Sequence, residues 1–282
     1  PVAEAFAHHR GQLAVCSSCG LIYASPRESE DSLDTFNEEI FDGDAGTRIR
    51  AGSGFPDPEY VVFQEHLANW SLKFMQRNIE IKGKRILDVR CQSGALSAAL
   101  KVEGAEVFSV DPFEANLNYC KQKRDLSNVF RLPFSRFTDL PIPINVQFDA
   151  VTALMDHVLS HLLSPRKFLR RVLELLKPGG YLFLVEKDVL SPSWASEFNI
   201  QFVLDSGRSH QHHLAPHTVA RYVVAAGFEL KECEVDNERM TAYRQIRVLA
   251  RKPEGGLAPV RISQMLDRGP TAEAIQRRLR WL

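Results

Sequence analysis

An excess of charge of either sign is missing from this sequence. Its 35 Lys and Arg are matched by 35 Asp and Glu over 282 residues. No general basic surplus points to nucleic acid or an anionic membrane as partner. Long apolar runs are missing too, and none approaches the ~18 residues a membrane-spanning helix needs. The first ten residues contain no apolar stretch of the signal-peptide kind. Cysteine is scarce, five in the whole chain, which excludes a disulfide framework and suits reduced thiols in the cytoplasm. The first residue is Pro1 rather than Met, which suggests a trimmed or processed chain. No internal repeat of about 20 to 50 residues is visible. What is present is an ordinary globular mix, 44% hydrophobic and 25% charged, able to bury a sizeable core.

Three stretches differ in texture. Residues 1–55 read as a small knuckle around Cys16-Ser-Ser-Cys19-Gly20, followed by an irregular, acidic, glycine-bearing connector. Residues 56–252 alternate strands with helices. Asp57-Pro58 caps a helix reaching about residue 78. Strands are expected at 85–89, 106–110, 128–132, 148–154 and 181–185, with helices over 95–103, 113–124 and from Ser164-Pro165 to Leu176. In the last of these, Phe168, Leu169, Val172, Leu173 and Leu176 keep the helical period while Arg170, Arg171 and Glu174 face outward. This order predicts an α/β fold, a mostly parallel, doubly wound sheet whose ligands sit at the carboxyl ends of the strands. After a helix over 217–226, two strands at 228–235 and 243–250 have no helix between them and should pair as an antiparallel hairpin. Residues 253–282 form a linker and a helical tail. Ile275, Leu279, Leu282 and Trp281 offer either packing on the tail's own domain or a homo- or hetero-oligomer contact.

The order of elements and four local motifs resemble the class I S-adenosylmethionine-dependent methyltransferases, over roughly residues 57–252. Within them the chain looks most like the small-molecule and sugar-type branch with an N-terminal Cys-x-x-Cys-Gly knuckle. Ile86-Leu-Asp88-Val-Arg90-Cys-Gln92-Ser-Gly94 stands at the glycine-rich turn, and Val107-Phe-Ser-Val-Asp111 at the acid closing the second strand. Residues 148–161 with Leu175-Leu-Lys-Pro-Gly-Gly-Tyr-Leu182 match the fourth strand, its loop and the turn into the fifth. Thr218 to Glu229 matches the helix ending in Ala-Gly-Phe before the hairpin.

The resemblance implies a seven-stranded sheet and S-adenosylmethionine as cofactor. Asp111 would then accept the ribose hydroxyls, and Gly94 with Asp88 would shape the turn. Phe134 and Ser135 would lie where the adenine edge is read. Structural alternatives stand beside these: Asp111 as a helix cap before Pro112, Asp88 as a turn residue, Gly94 as a packing glycine. The sequence departs from the family at the turn, where Arg90 and Gln92 replace glycines and bring long side chains to a close-approach site. Arg90 either turns away or contacts the cofactor's carboxylate.

A methyl transfer also needs its acceptor held in line, often with a base to take a proton. His157 and His161 follow the fourth strand, four residues apart. His210 and His213 belong to a cluster of four His in the eight residues 210–217. His157, His161 and His210 are the candidate bases, and His213 is a substrate-side candidate. A second-shell or surface role is the competing reading. Cys16 and Cys19 supply half of a tetrahedral zinc site, and the reading preferred over a bound zinc is a relic knuckle or a chain trimmed through that site. Cys91, Cys120 and Cys233 read as inert thiols.

The chain is thus expected to be a methyltransferase acting on a small molecule, such as a sugar, a lipid-linked intermediate or a secondary metabolite. The rival reading is a non-catalytic pseudo-methyltransferase serving as a binding or activating subunit. A nicotinamide enzyme is disfavoured by the terminal hairpin and the altered turn.

Overall fold

A computed structural model describes residues 2–8, 11–27, 29–41, 58–137, 141–143, 145–155, 157–189, 210–236 and 245–255. Asp57, Ser209 and the C-terminal tail with Trp281 lie outside these residues.

The strands are β1 (Val2–His8), β2 (Gly11–Cys16), β3 (Ile22–Ala24), β4 (Arg85–Val89), β5 (Glu106–Asp111), β6 (Val129–Arg131), β7 (Phe148–Ala153), β8 (Leu176–Lys187), β9 (His212–His213), β10 (Glu229–Asp236) and β11 (Gln245–Arg251). The helices are α1 (Glu30–Phe41), α2 (Pro58–Gln76), α3 (Ala95–Val102), α4 (Glu114–Lys123), α5 (Phe134–Phe137), α6 (Val158–His161), α7 (Pro165–Leu175) and α8 (Pro216–Ala226). Seven strands form one sheet in the order β10-β11-β8-β7-β4-β5-β6. Its β4, β5, β6, β7 and β8 run parallel, and β11 enters antiparallel to both β8 and β10. The alternating pattern and the terminal hairpin are therefore as the sequence led one to expect.

The alternation of side chains along β4 splits the core. Leu87 and Val89 join Phe168, Leu169 and Val172 of α7 and Val219 and Val223 of α8. Ile86 joins Leu67, Phe74 and Met75 of α2 and Leu96 and Leu100 of α3 on the other face. Both faces are thus covered, as a parallel sheet requires. Strands β5 and β6 are added on one side of β4 and β7 and β8 on the other, so the crevice above the carboxyl ends of the parallel neighbours β4 and β7 is where this architecture receives ligands.

Two local expectations change. Strand β8 begins at Leu176, not Tyr181, because the Lys177–Gly180 turn is itself bonded to Lys252: Gly179 N–H donates to Lys252 O at 3.0 Å and Lys252 N–H to Gly180 O at 2.8 Å. The acidic connector contains a twelve-residue helix, α1. Ser29 Oγ accepts from Ser32 N–H at 3.1 Å, Glu30 and Asp31 occupy its first turn, and Leu33 is buried. Acids at a helix start favour it through the aligned peptide dipoles. The same charges, read as composition, look like a solvated linker.

The knuckle is also more than a loop. Strands β1, β2 and β3 form a second sheet that ends on β9, with Ile22 opposite His213 and Tyr23 opposite His212. The N-terminal segment is thereby paired to the histidine cluster nearly two hundred residues later.

Candidate active site

The turn after β4 keeps a glycine-type backbone without the glycines. Arg90, Gln92 and Gly94 all have positive φ, at 62°, 52° and 70°. For the two side-chain-bearing residues this costs roughly 1–2 kcal/mol each. The path is fixed by Arg90 N–H and Cys91 N–H donating to Val110 O at 2.8 and 3.1 Å, and by Gly94 N–H donating to Cys91 O at 2.9 Å. At Gly94 a Cβ would also stand 2.6 Å from Cys120 Sγ and 2.9 Å from Leu126 Cδ1. This glycine therefore lets α3 and α4 approach.

Asp111, at the end of β5, is fully buried and is the hub of the turn. Its Oδ1 accepts from Phe113 N–H at 3.0 Å and Asn116 Nδ2 at 2.7 Å, and its Oδ2 from Gln92 N–H at 2.9 Å. Arg90 Nη1 then bridges both oxygens at 3.3 Å, and its guanidinium carbon lies 4.6 Å from the Phe113 ring centroid. Gln92 turns the other way, and its Oε1 accepts from Tyr60 OH of α2 at 2.8 Å.

Two buried atoms beside this hub lack a protein partner: Ser93 Oγ in the turn and Asn116 Oδ1 next to Asp111. Such atoms are usually met by a ligand or ordered water. The backbone of the turn, the strand-end acid and these orphans fit a donor carrying ribose and amino-acid groups. The placed Arg90 side chain is the one element that does not, because it already lies on the acid.

Asp88 lies beneath the turn, fully buried. It accepts from Ser97 Oγ of α3 at 2.6 Å and Thr152 Oγ1 of β7 at 2.8 Å, and Ser97 Oγ is 2.8 Å from Ser109 Oγ of β5. One carboxyl thus ties four elements. Burial pushes its pKa up to about 6, against the two hydroxyl donors. Between the unfolded value near 4 and this folded value, the native chain holds a proton that the unfolded chain has lost. Stability from this group is therefore largest in acid and falls as pH rises through that window, by about 3 kcal/mol. Asp88→Asn cannot ionise. Urea unfolding at pH 4, 5, 6 and 7 should show wild type losing stability relative to Asp88→Asn as pH rises. A constant difference across the series would refute the assignment.

The second half of the site lies at the ends of β7 and β8. Glu186 is fully buried and accepts from Leu159 N–H and Ser160 Oγ, each at 2.7 Å, holding the single turn of α6. Ser160 O in turn accepts Gln211 N–H at 2.7 Å, and Gln211 O accepts Ala24 N–H at 3.0 Å. This chain of bonds brings His157, His161, His210 and His213 together as buried residues. The His161 and His210 ring centroids are 4.4 Å apart, and those of His210 and His213 are 6.2 Å apart. Burial first, then His161 and Lys187, hold His210 well below the ordinary histidine range. Burial, with Lys187 second, takes His213 to about 4. The His210 and His213 imidazoles are therefore neutral near pH 7. His217 is apart from them, its ring nitrogen 3.1 Å from Cys19 O.

Ser135 of α5 is engaged by α1: its N–H donates to Asp34 Oδ1 at 3.1 Å and its hydroxyl to Asp34 Oδ2. Phe134 opens the same short helix. Cys16 and Cys19 are half-buried free thiols, and among the described residues no group of three or more His, Cys, Asp or Glu is placed to hold a metal. Cys91 and Cys120 are fully buried, and burial raises the Cys233 thiol to about 11. A cleft of about 720 Å³ on α2, lined by Trp70, Lys73 and Arg77 together with Arg247 of β11, shares no residue with either half of the site.

Sequence reasoning had not singled out Glu186, Asn116 or Asp34. Glu186 did carry a signal, since it closes an apolar strand as Asp111 does. Asn116 and Asp34 carried none, because their roles exist only through packing.

A family profile described as a methyltransferase domain matches residues 60–232. The chain belongs to this family and is a class I S-adenosylmethionine-dependent methyltransferase. Among curated proteins it is 28% identical over 173 residues to a ubiquinone biosynthesis O-methyltransferase of Dechloromonas aromatica, covering 57% of this chain and 71% of that protein. It is 32% identical over 119 residues to the enzyme of the same name from Coxiella burnetii, covering 42% of this chain and half of that one. The magnesium protoporphyrin IX methyltransferase of Synechocystis PCC 6803, solved with bound S-adenosylhomocysteine, superposes with a TM-score of 0.57 at 16% identity, covering 77% of this chain and 99% of that one. At that identity the likeness is one of fold. No helix among the described residues is long and apolar enough to cross a membrane.

Proposed function

We propose that the chain methylates a hydroxyl oxygen of a small-molecule acceptor, with His210 as the base and His161 and His213 lining the acceptor side. The observation that carries this reading is the buried imidazole cluster at the carboxyl ends of β7 and β8, with the His161 and His210 rings in contact at 4.4 Å and His210 held well below the usual histidine range by burial. The hydroxyl chemistry is supported by the printed activity of the curated relatives, which are O-methyltransferases.

The donor supplies a methyl carbon on a cationic sulfur, which is released as a neutral thioether. The residues of this chain do the rest. The acceptor oxygen forms the new bond to carbon as its proton passes to a ring nitrogen of His210. A neutral imidazole can accept that proton, whereas one already charged cannot. Burial keeps water from competing for the methyl group. In this reading Asp111 receives the ribose hydroxyls, Gly94 and Asp88 hold the turn, and α5 with Phe134 and Ser135 borders the adenine. His157 acts through the placement of α6.

The reading is tested by titrating the purified chain with S-adenosylhomocysteine and then supplying methyl-labelled S-adenosylmethionine with a panel of phenols, sugar alcohols and amines. Binding heat, with label appearing on oxygen, is expected. Label only on amines would overturn the hydroxyl assignment, and a folded chain without binding heat at millimolar ligand would overturn the whole reading.

A further inference from the structure

Asp111 is already saturated from within the protein. A carboxylate offers about four acceptor directions. Three go to Phe113 N–H, Asn116 Nδ2 and Gln92 N–H at 2.7 to 3.0 Å, and Arg90 covers what remains from 3.3 Å on both oxygens. The ion pair is sealed, with the Arg90 and Asp111 side chains 3% and 0% exposed. A ribose hydroxyl brings a further donor and so needs the acceptor position that the guanidinium now holds.

We propose that Arg90 is a built-in latch: its guanidinium competes with the ribose of the methyl donor for Asp111, and the donor binds only when Arg90 has left the carboxylate. This rests on the reading of Asp111 as the ribose acceptor. The contacts are graded in a way that suits displacement. The three short bonds come from backbone and from α4, and they stay when Arg90 moves. The Arg90 contact is the longest of the set and comes from a long side chain with four rotatable bonds, whereas the other side-chain donor, Asn116, is short and fixed on α4. Its backbone, at φ 62°, is the conformation a glycine would hold without strain, so the latch is a side chain added to an otherwise standard turn. The cost of opening it lowers apparent donor affinity by the fraction of time the latch is open. Donor binding is thereby set by this one position, independently of the acceptor half of the site.

The test compares wild type with Arg90→Gly by calorimetric titration with S-adenosylhomocysteine, and with adenosine against 2′-deoxyadenosine. Arg90→Met serves as a second variant that keeps the stem, should the glycine variant fold poorly. The variants are expected to bind S-adenosylhomocysteine at least tenfold more tightly than wild type. The gain should be present for adenosine and largely absent for 2′-deoxyadenosine, which lacks one diol donor. Equal or weaker binding by both variants would overturn the latch and leave the methyltransferase reading standing. An equal gain for both nucleosides would also overturn it, since simple removal of bulk would then suffice. No binding by any folded form would overturn the ribose assignment, and the latch with it.

Discussion

Asp111→Ala is expected to lower unfolding free energy by about 3–5 kcal/mol, as when one member of a buried, hydrogen-bonded ion pair is removed. The change takes the Asp111 carboxylate away from the Arg90 guanidinium, whose side chain is 3% exposed. It also removes the acceptor of Gln92 N–H, Phe113 N–H and Asn116 Nδ2. The converse change is expected to be mild. With Arg90→Met the carboxylate keeps those three donors, so the loss should be about 1–2 kcal/mol. The two members of one ion pair thus differ in what they leave behind. Urea unfolding of both single variants and of the double variant measures this, and the double variant should recover part of the Asp111→Ala loss. A loss in Asp111→Ala no larger than in Arg90→Met would show that the hub is not where the turn is anchored. Binding of S-adenosylhomocysteine by Asp111→Ala should be undetectable, whatever its stability.

His210→Ala is expected to reduce kcat by about 10²- to 10⁴-fold, the usual yield of a positioned base, while the affinity for S-adenosylhomocysteine changes little. The acid limb of the rate profile carries an independent signature. A base must be unprotonated to act, and burial holds His210 well below the usual histidine range. Wild-type kcat should therefore stay level as pH falls from 8 through 6.5, where an ordinary histidine would already be half protonated. A wild-type profile that breaks near 6.5, or a His210→Ala enzyme with undiminished kcat, would remove His210 from the role.

The fold was largely legible because its signals are periodic and local. Phe168, Leu169 and Val172 declare a helix with one buried face, and two strand patterns separated by polar residues declare a hairpin. The helix at Glu30–Phe41 was passed over because its acids were read as composition, although Leu33, Phe36 and Ile40 keep the helical spacing, and its capping serine becomes visible only as a contact. The site was legible in half. Strand-end acids and clustered histidines can be named from one sequence. That Asp88 answers to Ser97 and Thr152, or that Arg90 turns back onto Asp111, depends on χ angles that no spacing encodes. The departure from glycine at positions 90 and 92 was plain to read. Its structural consequence was not, since a long side chain in a left-handed turn can point to either side, and here the two do so.

The pairing of Ile22 and Tyr23 with His213 and His212 has a consequence for how such a chain can change. In the proposed reading donor handling is written in the turn after β4, whereas the strand paired to the proposed acceptor-side histidines is written near the N-terminus. Two separate stretches of sequence can therefore drift at different rates. In that reading, exchanging residues 11–24 for those of a cousin would redraw the strand beside the acceptor and leave the turn that serves the methyl donor untouched, a modular route to new products on an old chassis.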